Sequence, residues 1–379
     1  TGFAAAFVLI LLLPFIGEDH GKGATRWLSI AGISMQPSEF LKPGFVVLAA
    51  WFMAAAQDRD GPPGRRGRPR RRGGAAPGVG RRARRGRSMS LRMDLTARAV
   101  AVRARRSPFR DVDQLRGRPY PEPAAVPQDL RRSHELTREE VAGRPVLRLT
   151  PRAGADGSHL IYLHGGAFVN PLLPAHWWII REVVKGTGTT VTVPLYRLAP
   201  EGCADEGYEF LTAAWADLVA RPAVDRIVVA GDSAGGCLAI GLAMLLRDTG
   251  LRAPDHVVGF SPALDVTATH PAVREIDPHD PMLSTDEVVP LCRAWAGQRA
   301  LTDPLVSPVH GDVDGLPPVH LVQGGRDILA ADTLGFARAL QRAGNPGRLL
   351  YEPGAFHVYV GAWWTPEAQR AVRHVRSLL

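Results

Sequence analysis

Ser233 stands between Gly231 and Gly235 where a β-branched run, Arg226-Ile-Val-Val-Ala230, gives way to small helix-compatible residues, Cys237-Leu-Ala-Ile-Gly241. A strand, a tight turn and a helix follow from that pattern. Only glycine fits where a sharp strand-to-helix reversal brings backbone close on both sides. A serine so held presents its hydroxyl above the sheet, at a helix N-terminus whose free N–H groups and dipole favour developing negative charge. The chemistry this suits is acyl transfer. Such a hydroxyl is a weak nucleophile, so it needs a base, an acid to orient the base, and N–H donors for the oxyanion.

Candidates for all three can be read off the chain. His164-Gly-Gly-Ala-Phe168 follows an apolar run and offers backbone N–H groups without bulky side chains. With the N–H of Ala234, those of Gly166 and Ala167 form the expected oxyanion hole, and Gly165 lets the loop turn; Gly165 is counted with the hole. For the acid, Asp327 in Gly-Gly-Arg-Asp lies just past a predicted strand. Asp332, five residues on, and Asp265, in Ser261-Pro-Ala-Leu-Asp, are the alternatives, each readable as a solvated or structural carboxylate. Asp327 is preferred because its loop position lets it reach a histidine. Of twelve histidines, His357 alone follows a late strand and lies downstream of Asp327. The order Ser233, Asp327, His357 is the order this chemistry takes on a strand-turn-helix nucleophile.

These loops need a scaffold, and the surrounding pattern supplies one. Residues 133–139 and 144–150 read as a strand pair. Strands at 160–163, 189–193, 226–230, 256–260, 319–323 and 348–352 then alternate with helices at 176–185, 208–220, 331–343 and 366–379. Such alternation predicts a mostly parallel sheet with helices on both faces. Residues 268–298 interrupt it where a cap over the strand C-termini is expected. Aromatic residues Phe168, Trp177, Trp178 and Trp295 are candidates for either pocket or core.

Length and charge bound the rest. A chain of 379 residues with 45% hydrophobic content can bury a substantial core. Its net charge of +9 resembles a nucleic-acid signal until it is located. Residues 61–88 hold eleven arginines and no acidic residue, so removing them leaves −2 for the remainder. This Gly/Pro/Arg tract reads as a disordered linker at 58–92. Three cysteines, Cys203, Cys237 and Cys292, have no metal spacing and cannot all pair, which fits a reducing, cytoplasmic compartment. Apolar runs at 3–16 and 43–56 are each 14 residues long, short of the about 20 needed to cross a bilayer.

Between those runs lies Gly21-Lys-Gly-Ala-Thr-Arg-Trp-Leu-Ser-Ile-Ala-Gly-Ile-Ser-Met-Gln-Pro-Ser-Glu-Phe-Leu-Lys-Pro43. It resembles an extracytoplasmic loop of the cell-wall glycan polymerases of the shape, elongation, division and sporulation family, over residues 1–57 only. The chain begins with Thr1, and the expectation is a membrane-protein fragment joined in frame to a second protein starting at Met89 or Met93. Residues 93–379 would then be the second domain.

From about Leu95 onward six motifs occur in order. They are His164-Gly-Gly-Ala167, Tyr196-Arg-Leu-Ala-Pro-Glu201, Gly231-Asp-Ser-Ala-Gly-Gly236, Asp303-Pro-Leu-Val-Ser-Pro308, Gly324-Gly-Arg-Asp327 and His357. Together they resemble the hormone-sensitive-lipase-like esterases, bacterial family IV of the α/β-hydrolases. The resemblance implies an α/β-hydrolase fold, with a mostly parallel eight-stranded sheet flanked by helices and a helical cap from about 93–130 and 268–300. It also implies a carboxylesterase with Ser233 as nucleophile, His357 as base and Asp327 as orienting acid, acting on short-chain esters without metal or organic cofactor. Two departures stand out: Ala167 occupies a common third-glycine position, where it narrows the backbone against bulky alcohols, and Pro194-Leu195 replaces an acidic residue before Tyr196.

The expected partner is a small-molecule ester. Nucleic acid is not expected, membrane contact is expected only through the N-terminal fragment, and a homodimer is left open. An amidase or formamidase would use the same machinery. A ligand-binding protein on this scaffold would lack the base, which His357 argues against. A membrane-tethered or nucleic-acid-binding fusion would be governed by residues 1–88.

Overall fold

The computed structural model describes residues 28–30, 33–35, 89–104, 112, 115–116 and 120–379. The chain divides into two units, Thr1–Arg84 and Arg85–Leu379. In the first, β1 (Leu28–Ile30) and β2 (Ile33–Met35) pair antiparallel. The 3–16 and 43–56 runs, the arginine tract and much of the 105–119 stretch assigned to the cap lie outside the described residues. Among the described residues no helix is long and apolar enough to cross a membrane.

The second unit is built on an eight-stranded sheet. Its strands are β3 (His134–Val141), β4 (Arg144–Pro151), β5 (Ser158–Leu163), β6 (Thr190–Pro194), β7 (Arg226–Asp232), β8 (His256–Phe260), β9 (Val319–Gly324) and β10 (Leu349–Glu352). Their order is β10-β9-β8-β7-β5-β6-β4-β3. The run from β6 to β10 is parallel, and β4 and β3 close one edge antiparallel. All six residues of β5 are buried, which a strand needs when both sheet faces are covered. Side-chain alternation then splits the core in two. Ile161, Leu163, Ile227 and Val229 pack to one side with α4 (Ala204–Val219) and α5 (Ala234–Asp248). Leu160, Tyr162, Val228 and Ala230 face α3 (Pro174–Val184) and α9 (Pro366–Arg376). Helix α5 buries twelve of its fifteen residues beneath the sheet's centre, which explains its near-continuous run of small and aliphatic side chains.

The remaining helices are α1 (Leu91–Ala104), α2 (Gln128–Ser133), α6 (Pro271–Ile276), α7 (Thr285–Ala296) and α8 (Ala330–Arg342). Helix α1 begins within the stretch read from sequence as linker. Ser90 explains why: its N–H and Oγ donate to the two oxygens of Glu367 at 2.9 and 2.8 Å, and its Oγ accepts from Met93 N–H at 3.2 Å. The start of the α/β unit is thereby tied to α9, 277 residues away.

Candidate active site

The loops that follow β5, β7, β8, β9 and β10 carry, in turn, residues 164–168, Ser233, Asp265, Asp327 and His357. Parallel strands bring all five to one end of the sheet, the end where open α/β sheets bind ligands.

Ser233 has φ 52° and ψ −118°, a strained conformation for a residue bearing a side chain. It is held from three directions. Its N–H donates to Phe260 O at 2.9 Å, and its carbonyl accepts from Cys237 N at 3.1 Å and Ala263 N at 3.0 Å. The two flanking glycines are steric necessities, since a Cβ on Gly235 would meet Leu163 O at 1.9 Å and one on Gly231 would meet Gly235 O at 2.2 Å. The Ser233 hydroxyl makes no hydrogen bond with another described residue and opens, together with His357, on a cavity of about 390 Å³.

His357 is buried, with Nδ1 2.9 Å from Asp327 Oδ2. The carboxylate accepts there, so Nδ1 carries the proton and Nε2 keeps its lone pair. Asp327 is fully buried and held in turn: Gln323 Nε2 donates to Oδ2 at 2.8 Å, and Leu329 N–H donates to Oδ1 at 3.0 Å. Burial lowers the pKa of His357, but the charge of Asp327, its hydrogen bond and the more distant Asp280 and Asp232 outweigh it, leaving the imidazole above its usual value. The loop is fixed by Ser261, whose Oγ accepts from Val358 N–H at 3.0 Å.

Gly166, Ala167 and Ala234 all line the cavity, and their N–H groups are bound to no other described residue. Gly165 differs. Its N–H donates to Asp232 Oδ1 at 3.1 Å, so it is not a free donor, and it ties the loop to Asp232 in place of the oxyanion role expected of it from sequence. Ala167 sits at φ 52° and Phe168 at φ 63°, left-handed conformations that a glycine would adopt without strain.

Asp232 is the buried hub that sequence reasoning passed over. It accepts from Tyr162 Oη at 2.7 Å as well as from Gly165, and His176 Nε2 lies 3.4 Å from its other oxygen. Leu173 N–H donates to His176 Nδ1 at 2.8 Å, which places the imidazole proton on Nε2, toward Asp232. Burial raises the Asp232 pKa, but His176, Tyr162 and Gly165 together bring it below the usual value. Nearby, burial and His176 push His164 down to about 4, and Tyr196 stacks on its ring at 4.5 Å while donating to His164 O at 2.8 Å. The middle letter of Gly-Asp-Ser was visible in the sequence. Its partners, 56 to 70 residues away, were not.

Of the alternative acids, Asp265 and Asp332 both line the cavity, but neither bonds His357. Phe168 and Trp178 also line it. Trp177 is core, with Nε1 donating to Ala124 O at 2.8 Å, and Trp295 stacks behind Phe168 at 4.8 Å. Helix α1 contributes Thr96 and Val100 to the wall, and residues 273–292 contribute Val273, Met282, Leu283 and Val288. Among the described residues no cluster of His, Cys, Asp or Glu is arranged to hold a metal ion.

A strand-turn-helix serine, a buried Asp-His pair and unbonded N–H groups at the C-terminal end of a mostly parallel sheet together define an α/β-hydrolase type of site. The α/β hydrolase fold family matches residues 160–361, more than half the chain, and the chain belongs to that family. A triacylglycerol lipase of Mycobacterium tuberculosis is 32% identical over 219 residues, which are 58% of this chain and 45% of the lipase. The chain thus spans less than half the length of that relative. A solved esterase from the bacterial hormone-sensitive lipase family is 25% identical, with a TM-score of 0.64 over 76% of this chain and 97% of that one. The N-terminal segment is similar to a different family: residues 1–69 match the cell cycle protein family, and 62 residues are 48% identical to a probable peptidoglycan glycosyltransferase FtsW of Caulobacter vibrioides, covering 16% of each chain.

Proposed function

We propose that the chain is a serine carboxylesterase acting on short-chain esters through an acyl-enzyme. The observation that carries this reading is the 2.9 Å His357–Asp327 contact, with His357 opening on a cavity also lined by Ser233 and by Gly166, Ala167 and Ala234, whose N–H groups bond no other described residue. In the proposed reaction His357 Nε2 takes the Ser233 proton as Oγ attacks the ester carbonyl, and Asp327 stays ionised to steady the imidazolium. The N–H groups of Gly166, Ala167 and Ala234 receive the oxyanion, each typically worth about 2.7–4 kcal/mol to the transition state. His357 returns the proton to the leaving alcohol, and water repeats the sequence on the acyl-enzyme. The names of the relatives, lipase and esterase, support the same reaction class.

The catalytic module in this reading spans residues 89–379, with a cap drawn from 89–130 and 268–300, and residues 1–57 are a membrane-protein-like segment. All three cysteines are free, which agrees with a reducing cytoplasm for the module. Ser233→Ala is expected to abolish hydrolysis of p-nitrophenyl butyrate while the melting curve is preserved. Activity retained in that variant refutes the assignment. A nitrophenyl ester series of rising acyl length tests the short-chain preference.

A further inference from the structure

Two carboxyl groups on the cavity wall have no part in the proposed reaction. Asp265 follows β8 and Asp332 lies in the first turn of α8. Both line the cavity that holds Ser233 and His357. Asp265 is occupied on one oxygen: Thr267 N–H and Oγ1 donate to Oδ1 at 2.9 and 2.6 Å, and His310 Nε2 lies 3.8 Å from the same atom. Asp332 is only 5% exposed, yet no described residue gives it a hydrogen bond or an ion pair. A buried carboxyl without a partner is costly, and proteins retain one where something else satisfies it. Apolar side chains, Val266, Ile328, Leu329 and Val289 among them, line much of the same cavity.

We propose that Asp332, backed by Asp265, is a polar subsite that receives a hydrogen-bond-donating group, an ammonium or a hydroxyl, carried by the ester substrate. The proposal rests on the esterase reading for its substrate and on the unpartnered carboxyl for its chemistry. An ionised carboxylate is an acceptor only, and the second carboxyl beside it repels any ligand group that is itself anionic. Burial, and then the charge of Asp265, push Asp332 up to about 7, while Asp265 itself is held by Thr267 and faces His310. A plain alkyl ester leaves this carboxyl unmatched, whereas a donor in the same place matches it. Sites built around a buried polar group discriminate strongly against ligands that cannot pair with it.

The test compares p-nitrophenyl hexanoate, 6-hydroxyhexanoate and 6-aminohexanoate, alongside calorimetric binding of hexylammonium and 1-hexanol, in the parent protein, Asp332→Leu and Asp332→Asn. The ratio of kcat/KM for a functionalised ester over hexanoate is expected to fall by about tenfold or more in Asp332→Leu, with a parallel loss of probe binding. Asp332→Asn, nearly isosteric, covers the case in which leucine disrupts folding; it is expected to keep hexanol and lose hexylammonium. Preference for the ammonium arm identifies a cationic substrate, and equal preference a hydroxylated one. Unchanged ratios and affinities across the three proteins overturn the subsite. Absence of any ester turnover by the parent, with hexylammonium still bound through Asp332, overturns the esterase reading and leaves the subsite standing.

Discussion

Asp232→Asn tests whether the Ser233 turn and the 164–168 loop, the proposed nucleophile and oxyanion hole, are set by one buried carboxylate. The substitution keeps the shape and leaves one oxygen to accept from Tyr162 and Gly165, which now lie 2.7 and 3.1 Å from Oδ1. On the other side it puts an amide NH2 against His176 Nε2, a donor facing a donor. His176 cannot shift its proton to Nδ1 to relieve this, because that atom already accepts from Leu173 N–H at 2.8 Å. One buried donor conflict of this kind costs about 1–3 kcal/mol. The amide has a second way out, turning its oxygen to His176, but that strands the Tyr162 hydroxyl and Gly165 N–H instead. In the second orientation Gly165 loses its acceptor outright, and in the first it follows Oδ1 as the amide is pushed from His176; Gly166 and Ala167 come directly after it in the chain. Losing one aligned oxyanion donor lowers kcat by about 10²–10³, so partial misalignment is expected to lower kcat by about 10-fold to 100-fold with little change in KM. Steady-state kinetics on p-nitrophenyl butyrate, with thermal melts in parallel, measure both effects. The pH dependence of the melt adds a signature. The folded pKa of Asp232 is depressed, so its stabilisation is present above the unfolded carboxyl pKa and is lost as pH falls through the folded value. Asparagine removes that acid-side loss. A variant with parental kcat and a parental melting curve at every pH refutes the reasoning.

Other outcomes follow from the same geometry. His357 must be neutral to accept a proton, and its pKa is raised, so activity is expected to fall on the acid side at a pH above the usual imidazole value. In Asp327→Asn the acid limb of any residual activity is expected to move to lower pH, and a pH-rate profile reads this directly. Ala167→Gly relieves a left-handed alanine at φ 52°, and is expected to leave the melting temperature equal or higher while improving turnover of esters of bulky alcohols relative to ethyl esters. Residues 89–379 expressed alone are expected to be active and to melt above residues 93–379, which lack the Ser90 bonds to Glu367. Equal melting temperatures for the two fragments contradict that role for Ser90.

Much of this architecture was legible because its causes are local. The strand read at 226–230 is β7, ending two residues later at Asp232, and the one read at 256–260 is β8 itself. Both are β-branched runs bounded by turn residues, and their burial on two faces leaves the sequence no polar alternation to mislead. The glycines flanking Ser233 were legible for the same reason, since the contacts that forbid a Cβ are imposed by the turn. The preference for Asp327 over Asp265 and Asp332 rested on a loop position from which it could reach a histidine, and His357 Nδ1 lies 2.9 Å from it.

What the chain alone determined, then, was the alternation of elements and the residue types at the strand ends, because period, turn chemistry and motif spacing act over a few residues. Which groups share a hydrogen bond was decided only by tertiary structure. Asp232 meets Tyr162 and His176, Gly165 spends its N–H on that carboxylate, and Ser90 holds Glu367. Among the described residues Asp332 is left without a hydrogen bond or ion pair by the same packing. Separation along a chain carries no record of such pairings, since they arise when distant loops are brought to one end of a sheet and water is excluded from between them.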